Sequence, residues 1–229
     1  MKPHNITDLF SASLADSQLS TKQQAVLKAS LKLFSEQGYD RTSTQEIARV
    51  AQVSEGTVYK QFKTKEGILR ALLAPMIQEV IPSAITEFIH EVGEHHLPDL
   101  HTFLTFIVRD RMTFAITNQA QLRILIATLL RDSSLSKALA KQFQTQFLGE
   151  ATHLLTAYQE KGVLVNWPVI RILQYIFGTV FSYLLPVILD IQSQFDLNTA
   201  VNEAVTFLER GLQGKVAYPA PPTHENVHF

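Results

Sequence analysis

Residues 44–69 read TQEIARVAQVSEGTVYKQFKTKEGIL, and their spacing leaves few folds open. Ile47 and Ala48 belong to a short helix, residues 44–50. Ala51, Gln52 and Val53 form a turn. Ser54 is placed to cap a second helix, residues 55–62, and a third follows at once. Helices of seven or eight residues do not stand alone in water. A successive pair persists when packed together, and it usually presents one member to a partner. In a helix-turn-helix that partner is the major groove of DNA.

Charge supports this where the total does not. The chain of 229 residues has a net charge of −1. Residues 20–73 hold nine Lys and Arg against five Asp and Glu, a local net of +4, so the remainder is acidic. A basic head on an acidic body is the asymmetry expected of a phosphate-binding module attached to something else. The 46% hydrophobic content is enough for a substantial core. The absence of cysteine excludes disulfides, Cys-ligated zinc, iron–sulfur clusters and thiol catalysis. Residues 1–20 lack a basic stretch followed by an apolar run, so no signal peptide is expected there and a cytoplasmic address is.

Apolar residues recur at helical spacing throughout. Val26, Leu27, Leu33 and Phe34 mark a helix over 21–37, ended by Gly38. Thr64 caps a long helix from Lys65, which Pro75 and Pro82 should kink. Further helices are expected over 100–116, 119–131, 135–161, 168–190 and 197–213, with Gly93 and Pro98 in a loop. The fold class is all-α: an N-terminal three-helix helix-turn-helix module and a larger helical body. The expected divisions are a flexible arm at 1–19, the head at 20–80 with its helix-turn-helix at 44–63, the body at 81–213, and a disordered tail at 214–229.

Leu33-Phe34, Gly38-Tyr39, Thr42, Ile47-Ala48, Val53-Ser54, Gly56-Thr57-Val58-Tyr59, Phe62 and Lys65-Glu66 together resemble the TetR family of bacterial transcriptional regulators. The resemblance spans about residues 22–73. It implies a homodimer that binds a pseudo-palindromic operator in double-stranded DNA and answers to a small molecule, as a repressor by family default. Members often carry Gly where Gln52 stands and His where Gln61 stands.

The DNA-binding set expected is Thr42, Thr44, Ser54, Gly56, Thr57, Tyr59, Lys60, Gln61 and Lys65. Gly56 lets the helix approach a groove closely. Thr57 can meet a base edge, and Tyr59, Lys60 and Lys65 can reach phosphates. Val53, Val58 and Phe62 are core.

In the body, Phe103, Phe106, Arg109, Phe114, Arg123, Phe143, Phe147 and Tyr175 are candidate pocket residues for an apolar or aromatic effector. Arg111 is a further cation among apolar neighbours that can anchor an anion or pair with Asp110. Residues 172–189 carry no charge over a span long enough to cross a bilayer. A helix apolar all round behind a DNA-binding head is better explained by a twin subunit covering its outer side than by a membrane. Tyr175, Gly178, Phe181, Ser182, Leu185, Ala204, Phe207 and Leu208 are the candidate interface. The run 90–96, rich in His and Glu, lacks the four-residue ligand spacing of a helical zinc site, so no metal is expected. No catalytic grouping or cofactor motif is present, and neither an enzyme nor a cofactor is expected. The alternative is a soluble or membrane-associated helical interaction protein whose helix-turn-helix no longer reads DNA.

Overall fold

The computed structural model describes residues 5–95, 97–191 and 194–214. Every named element among them is a helix, so the class is all-α. Helix α1 spans Ile6–Asp16, α2 Thr21–Gln37, α3 Thr44–Val50, α4 Glu55–Phe62 and α5 Lys65–Pro75. A π turn, Met76–Val80, joins α5 to α6, Ile81–Glu94. Then come α7 Leu100–Thr117, α8 Gln119–Leu129 and α9 Ser133–Gln142. A second π turn, Phe143–Phe147, leads into α10 Leu148–Glu160, followed by α11 Val169–Ile188 and α12 Leu197–Leu212.

Local chemistry sets the head. Ser20 and Gln23 form a reciprocal capping box at α2, as do Ser43 and Glu46 at α3. Ser54 accepts from the Thr57 amide at α4, and Thr64 accepts from the Gly67 amide at α5. Gly38 ends α2 at φ +87°. Gln52 sits in the turn at φ +56°, a left-handed conformation that disfavours a residue with a Cβ. Gly67 is required by a close approach: a Cβ there would lie 2.1 Å from the Phe62 carbonyl oxygen.

Pro75 and Pro82 were expected to kink the long helix. The chain absorbs them by placing the π turn between them, which keeps α5 and α6 continuous. Gly93 lies inside α6, not in a loop. The tail beyond Gly214 is outside the described residues, as is His96.

The described part of the segment 1–19 departs from the flexible arm expected there. Within it Ile6–Asp16 is a capped helix whose Ile6, Phe10 and Leu14 are fully buried. These side chains recur every four residues on one face, and burying each stabilises the fold by roughly 1.5–3 kcal/mol. Two apolar clusters organise the protein. One joins α1, the head, the π turn after α5, and Ile124 and Leu125 of α8. The other fills the body, where α7 packs between α11 and α12.

Candidate functional site

The recognition face of α4 follows from its helical pitch. Val58 and Phe62 are buried against the head, which turns Gly56, Tyr59, Lys60 and Gln61 outward. Tyr59 is 70% exposed, unusual for an aromatic ring. A Cβ on Gly56 would meet only the Ser54 hydroxyl, at 4.0 Å. Packing within the chain therefore does not demand glycine there. Thr57 is half-buried, with its hydroxyl 2.8 Å from that of Ser54. Lys63, just past α4, adds an exposed cation missing from the expected set. Thr44 is half-buried beside α4, with its hydroxyl 3.5 Å from Glu55.

Two residues of the expected DNA-binding set are placed otherwise. Thr42 is 1% exposed, and its hydroxyl donates to the Gly38 carbonyl at 2.8 Å. Lys65 donates to the carbonyls of Tyr39, Asp40 and Thr42 at 3.0, 3.3 and 3.0 Å, with its ammonium 4.4 Å from the centre of the Tyr39 ring. An ammonium has three protons, and these are committed. Burial, with Glu66 and Asp40 nearby, raises the Tyr39 phenol above its ordinary pKa. Lys65 and Thr42 thus shape the loop beside α3 from within.

Inside the body lies a small cavity of about 40 Å³ with an almost wholly apolar lining. α6 contributes Phe88, Ile89 and Val92; α7 contributes Phe103, Ile107 and Arg111; and Phe147, α10 and α11 complete it. Of the expected pocket residues, Phe103 and Phe147 line this space. Phe143 lies one layer out, its ring 4.7 Å from Phe147 and 6.1 Å from Phe177.

The others lie elsewhere. Phe106 packs on His95. Arg109 donates to Asn198 at 2.9 Å on the surface. Phe114 joins the head cluster. Arg123 donates to the Ile188 carbonyl at 2.6 Å and borders the cleft between head and body. Tyr175 packs on Trp167 on the outer face. The signal for the cavity was the four-residue spacing of Phe103, Ile107 and Arg111, one stripe along α7.

Arg111 is the polar group at this cavity. Its guanidinium stacks 3.8 Å from the Phe88 ring centre and 5.1 Å from that of Phe114, and its Nε donates to Asp110 at 2.7 Å. Burial lowers its pKa, while the charges of Asp110 and Glu91 oppose that shift.

The outer face of α11 is largely apolar, and on α12 Phe207 stands out among the exposed Asn202, Glu203, Thr206 and Arg210. Tyr175, Phe181 and Phe207 are 47%, 45% and 66% exposed, with Gly178 and Ser182 beside them and Leu185 half-buried. An open groove of about 750 Å³ runs between Trp167, Tyr175 and Phe207. Ala204 and Leu208, expected at the interface, point inward: both are covered by the chain's own body, at 0% and 1% exposure. Helical pitch sets them about 60° and 100° round α12 from Phe207, enough to turn them onto the covered side. Residues 65–94 and α11 are each long and apolar enough to cross a membrane by length and composition. The first is half buried within the protein, and α11 packs one side against α7.

Residues 26–72 match the family model described as bacterial regulatory proteins, tetR family. The HTH-type transcriptional regulator HbdR of Aromatoleum sp. (strain CIB) is 38% identical over 74 residues, 31% of this chain and 32% of that protein. Over the curated relatives it matches first, the chain spans between 19% and 32% of their lengths. A longer match, 24% identical over 86% of this chain and 99% of the relative, is to the fatty acid metabolism regulator protein of Bacillus subtilis (strain 168). The fold is shared with the transcriptional regulator FadR from Bacillus subtilis, solved in complex with stearoyl-CoA. That likeness has a TM-score of 0.60 and 23% identity, and it covers 82% of this chain and 97% of the other. The head, residues 26–72, is thus similar to the bacterial regulatory proteins of the tetR family, and the all-helical body shares its fold with solved regulators.

Proposed function

We propose that this protein is a ligand-responsive, sequence-specific DNA-binding transcriptional regulator, acting in the cytoplasm as a homodimer. The head, residues 20–80, reads DNA through Thr44, Ser54, Gly56, Thr57, Tyr59, Lys60, Gln61 and Lys63. The body, residues 81–213, takes the effector and pairs the subunits through Tyr175, Gly178, Phe181, Ser182, Leu185 and Phe207. The observation that carries this reading is the outward face of α4. Tyr59, Lys60 and Gln61 stand exposed around a glycine that internal packing does not require. Two heads on a twofold axis would read half-sites about 34–36 Å apart along the duplex.

The proposed effector is an amphipathic molecule with a long apolar chain, and release from a palindromic operator is the proposed response. The near-continuous apolar lining of the α6–α7–α10–α11 cavity supports this, as does the likeness to a fatty acid metabolism regulator. At about 40 Å³ the cavity is far smaller than the roughly 300–1,000 Å³ of a ligand site. An acyl chain can enter only by spreading these helices. It would therefore bind one arrangement of the body more tightly than the other, which is the condition for shifting an equilibrium.

The test is selection of sheared genomic DNA from the source organism by the purified protein, followed by sequencing. Enrichment of one palindromic sequence, released by stearoyl-CoA and not by coenzyme A alone, is the expected result. A folded protein that enriches no sequence would overturn the DNA-binding reading. Enrichment without release would overturn only the acyl effector.

A further inference from the structure

Helix α1 lies before the first residue matched by the family model, and a helix-turn-helix does not need it. It nevertheless touches each part of the protein that would have to move if the head swung on the body. Its buried face enters a cluster shared by the head, the π turn Met76–Val80 and Ile124 and Leu125 of α8. Its first amide is held from the body: Ile6 N–H donates at 2.8 Å to Oδ1 of Asn118, a fully buried side chain at the α7–α8 junction. The Thr7 hydroxyl accepts from Gln121 of α8 at 3.2 Å. At its other end Ser13 donates to Glu79 in the π turn.

We propose that α1 is a strap that fixes the angle between head and body, with Asn118 as its positioning residue on the body. The head is otherwise tied to the body through the π turn between two prolines, through α2 and α9 contacts, and through the ion pair of Arg70 with Asp132 at 3.2 Å. The anchor also lies within reach of the cavity. Asn118 donates through Nδ2 to the Phe114 carbonyl at 2.8 Å, and the Phe114 ring lies under Arg111, which lines the cavity. A molecule that displaces Arg111 therefore pushes on the residue that holds the strap. This last link rests on the effector reading given above; the strap itself does not.

The chain's lack of cysteine makes the test direct. Gln45→Cys on α3 and His153→Cys on α10, both exposed positions, carry nitroxide labels. Labelled full-length chains are diluted with unlabelled ones, so that pulsed electron spin resonance reads the head-to-body distance within one chain. Two further variants are compared in that background. Asn118→Leu removes the acceptor. Ile6→Pro removes the donor at the first helical position, where proline is tolerated, after an extended Asn5 that suits it. Amide exchange over residues 6–16 reports whether α1 has let go.

The expected result is exchange at least about tenfold faster in α1, with a distance distribution that broadens or shifts while the rest of the protein stays folded. Release of α1 with an unchanged distribution would overturn the proposal. So would failure of both variants to release α1, because Asn118 would then not hold it. Global unfolding of both would also overturn it, by making α1 part of the core. Neither DNA nor effector is present, so each of these outcomes leaves the DNA-binding reading untouched.

Discussion

The Lys65 ammonium donates to the Thr42 carbonyl oxygen at 3.0 Å, across 23 residues of sequence. With its bonds to the Tyr39 and Asp40 carbonyls, it ties the loop before α3 to the start of α5. Lys65→Met keeps the stem and removes these bonds. It should cost about 1–3 kcal/mol of stability, measurable by urea denaturation.

The same variant should weaken DNA binding by letting the loop move, without changing how steeply salt weakens it. Lys60→Ala should instead lower the slope of log affinity against log salt by about one, because an exposed lysine that neutralises a phosphate releases a counterion. Anisotropy titrations over a salt series separate the two. A reduced slope for Lys65→Met would mean that its ammonium leaves the carbonyls for phosphate.

Two backbone positions in the head should respond in opposite directions. Gly67→Ala forces a methyl group against the Phe62 carbonyl, 2.1 Å from its oxygen, so the α4–α5 turn must open. A loss of more than about 2 kcal/mol is expected, in the range of overpacked sites. Gln52→Gly relieves a left-handed residue at φ +56° and should add about 0.5–1 kcal/mol, after the entropy glycine brings to the unfolded chain. Thermal melts of both proteins check the pair.

The head was legible because its signals are local. Ser43, Ser54 and Thr64 announce helix starts within three residues, and Ile47, Val58 and Phe62 announce the packed side. What stayed hidden depends on contacts between distant residues. Lys65 reads as a phosphate ligand until the chain folds back three carbonyls onto it. Ala204, Phe207 and Leu208 are all apolar, so periodicity alone could not say which side of α12 the body covers. α1 is short, and its partners Asn118 and Gln121 lie more than a hundred residues away.

Acid should unfold the protein partly through its helix caps. The Ser43 amide and hydroxyl hold Glu46 below its ordinary 4.5. The Thr102 amide, the Ser134 hydroxyl and the Thr199 hydroxyl are the first causes that hold Asp99, Asp132 and Asp196 below 3.8. A depressed carboxyl pKa means the unfolded chain takes up the proton first. The stabilisation is complete above these ordinary values and is lost as pH falls through the lower folded-state values. Combined Asp99→Asn, Asp132→Asn and Asp196→Asn keeps capping oxygens and removes three titrations. Its melting temperature should fall less than that of the unaltered protein between about pH 5 and 3.

The outer face of α11 and α12 provides the test of assembly. Phe207 is 66% exposed and Tyr175 47%, on adjacent helices that share an apolar groove with Trp167. Phe207→Glu places a charge there without touching Ala204 or Leu208, which hold α12 to its own body. A subunit interface must desolvate that carboxylate, whereas a free surface accepts it at almost no cost. Light scattering should therefore give the mass of one chain for Phe207→Glu and of two for the unaltered protein, with unchanged helical circular dichroism. Operator affinity should fall with dimerisation, since two linked heads bind far more tightly than one. A dimer that survives Phe207→Glu would place the interface on another surface.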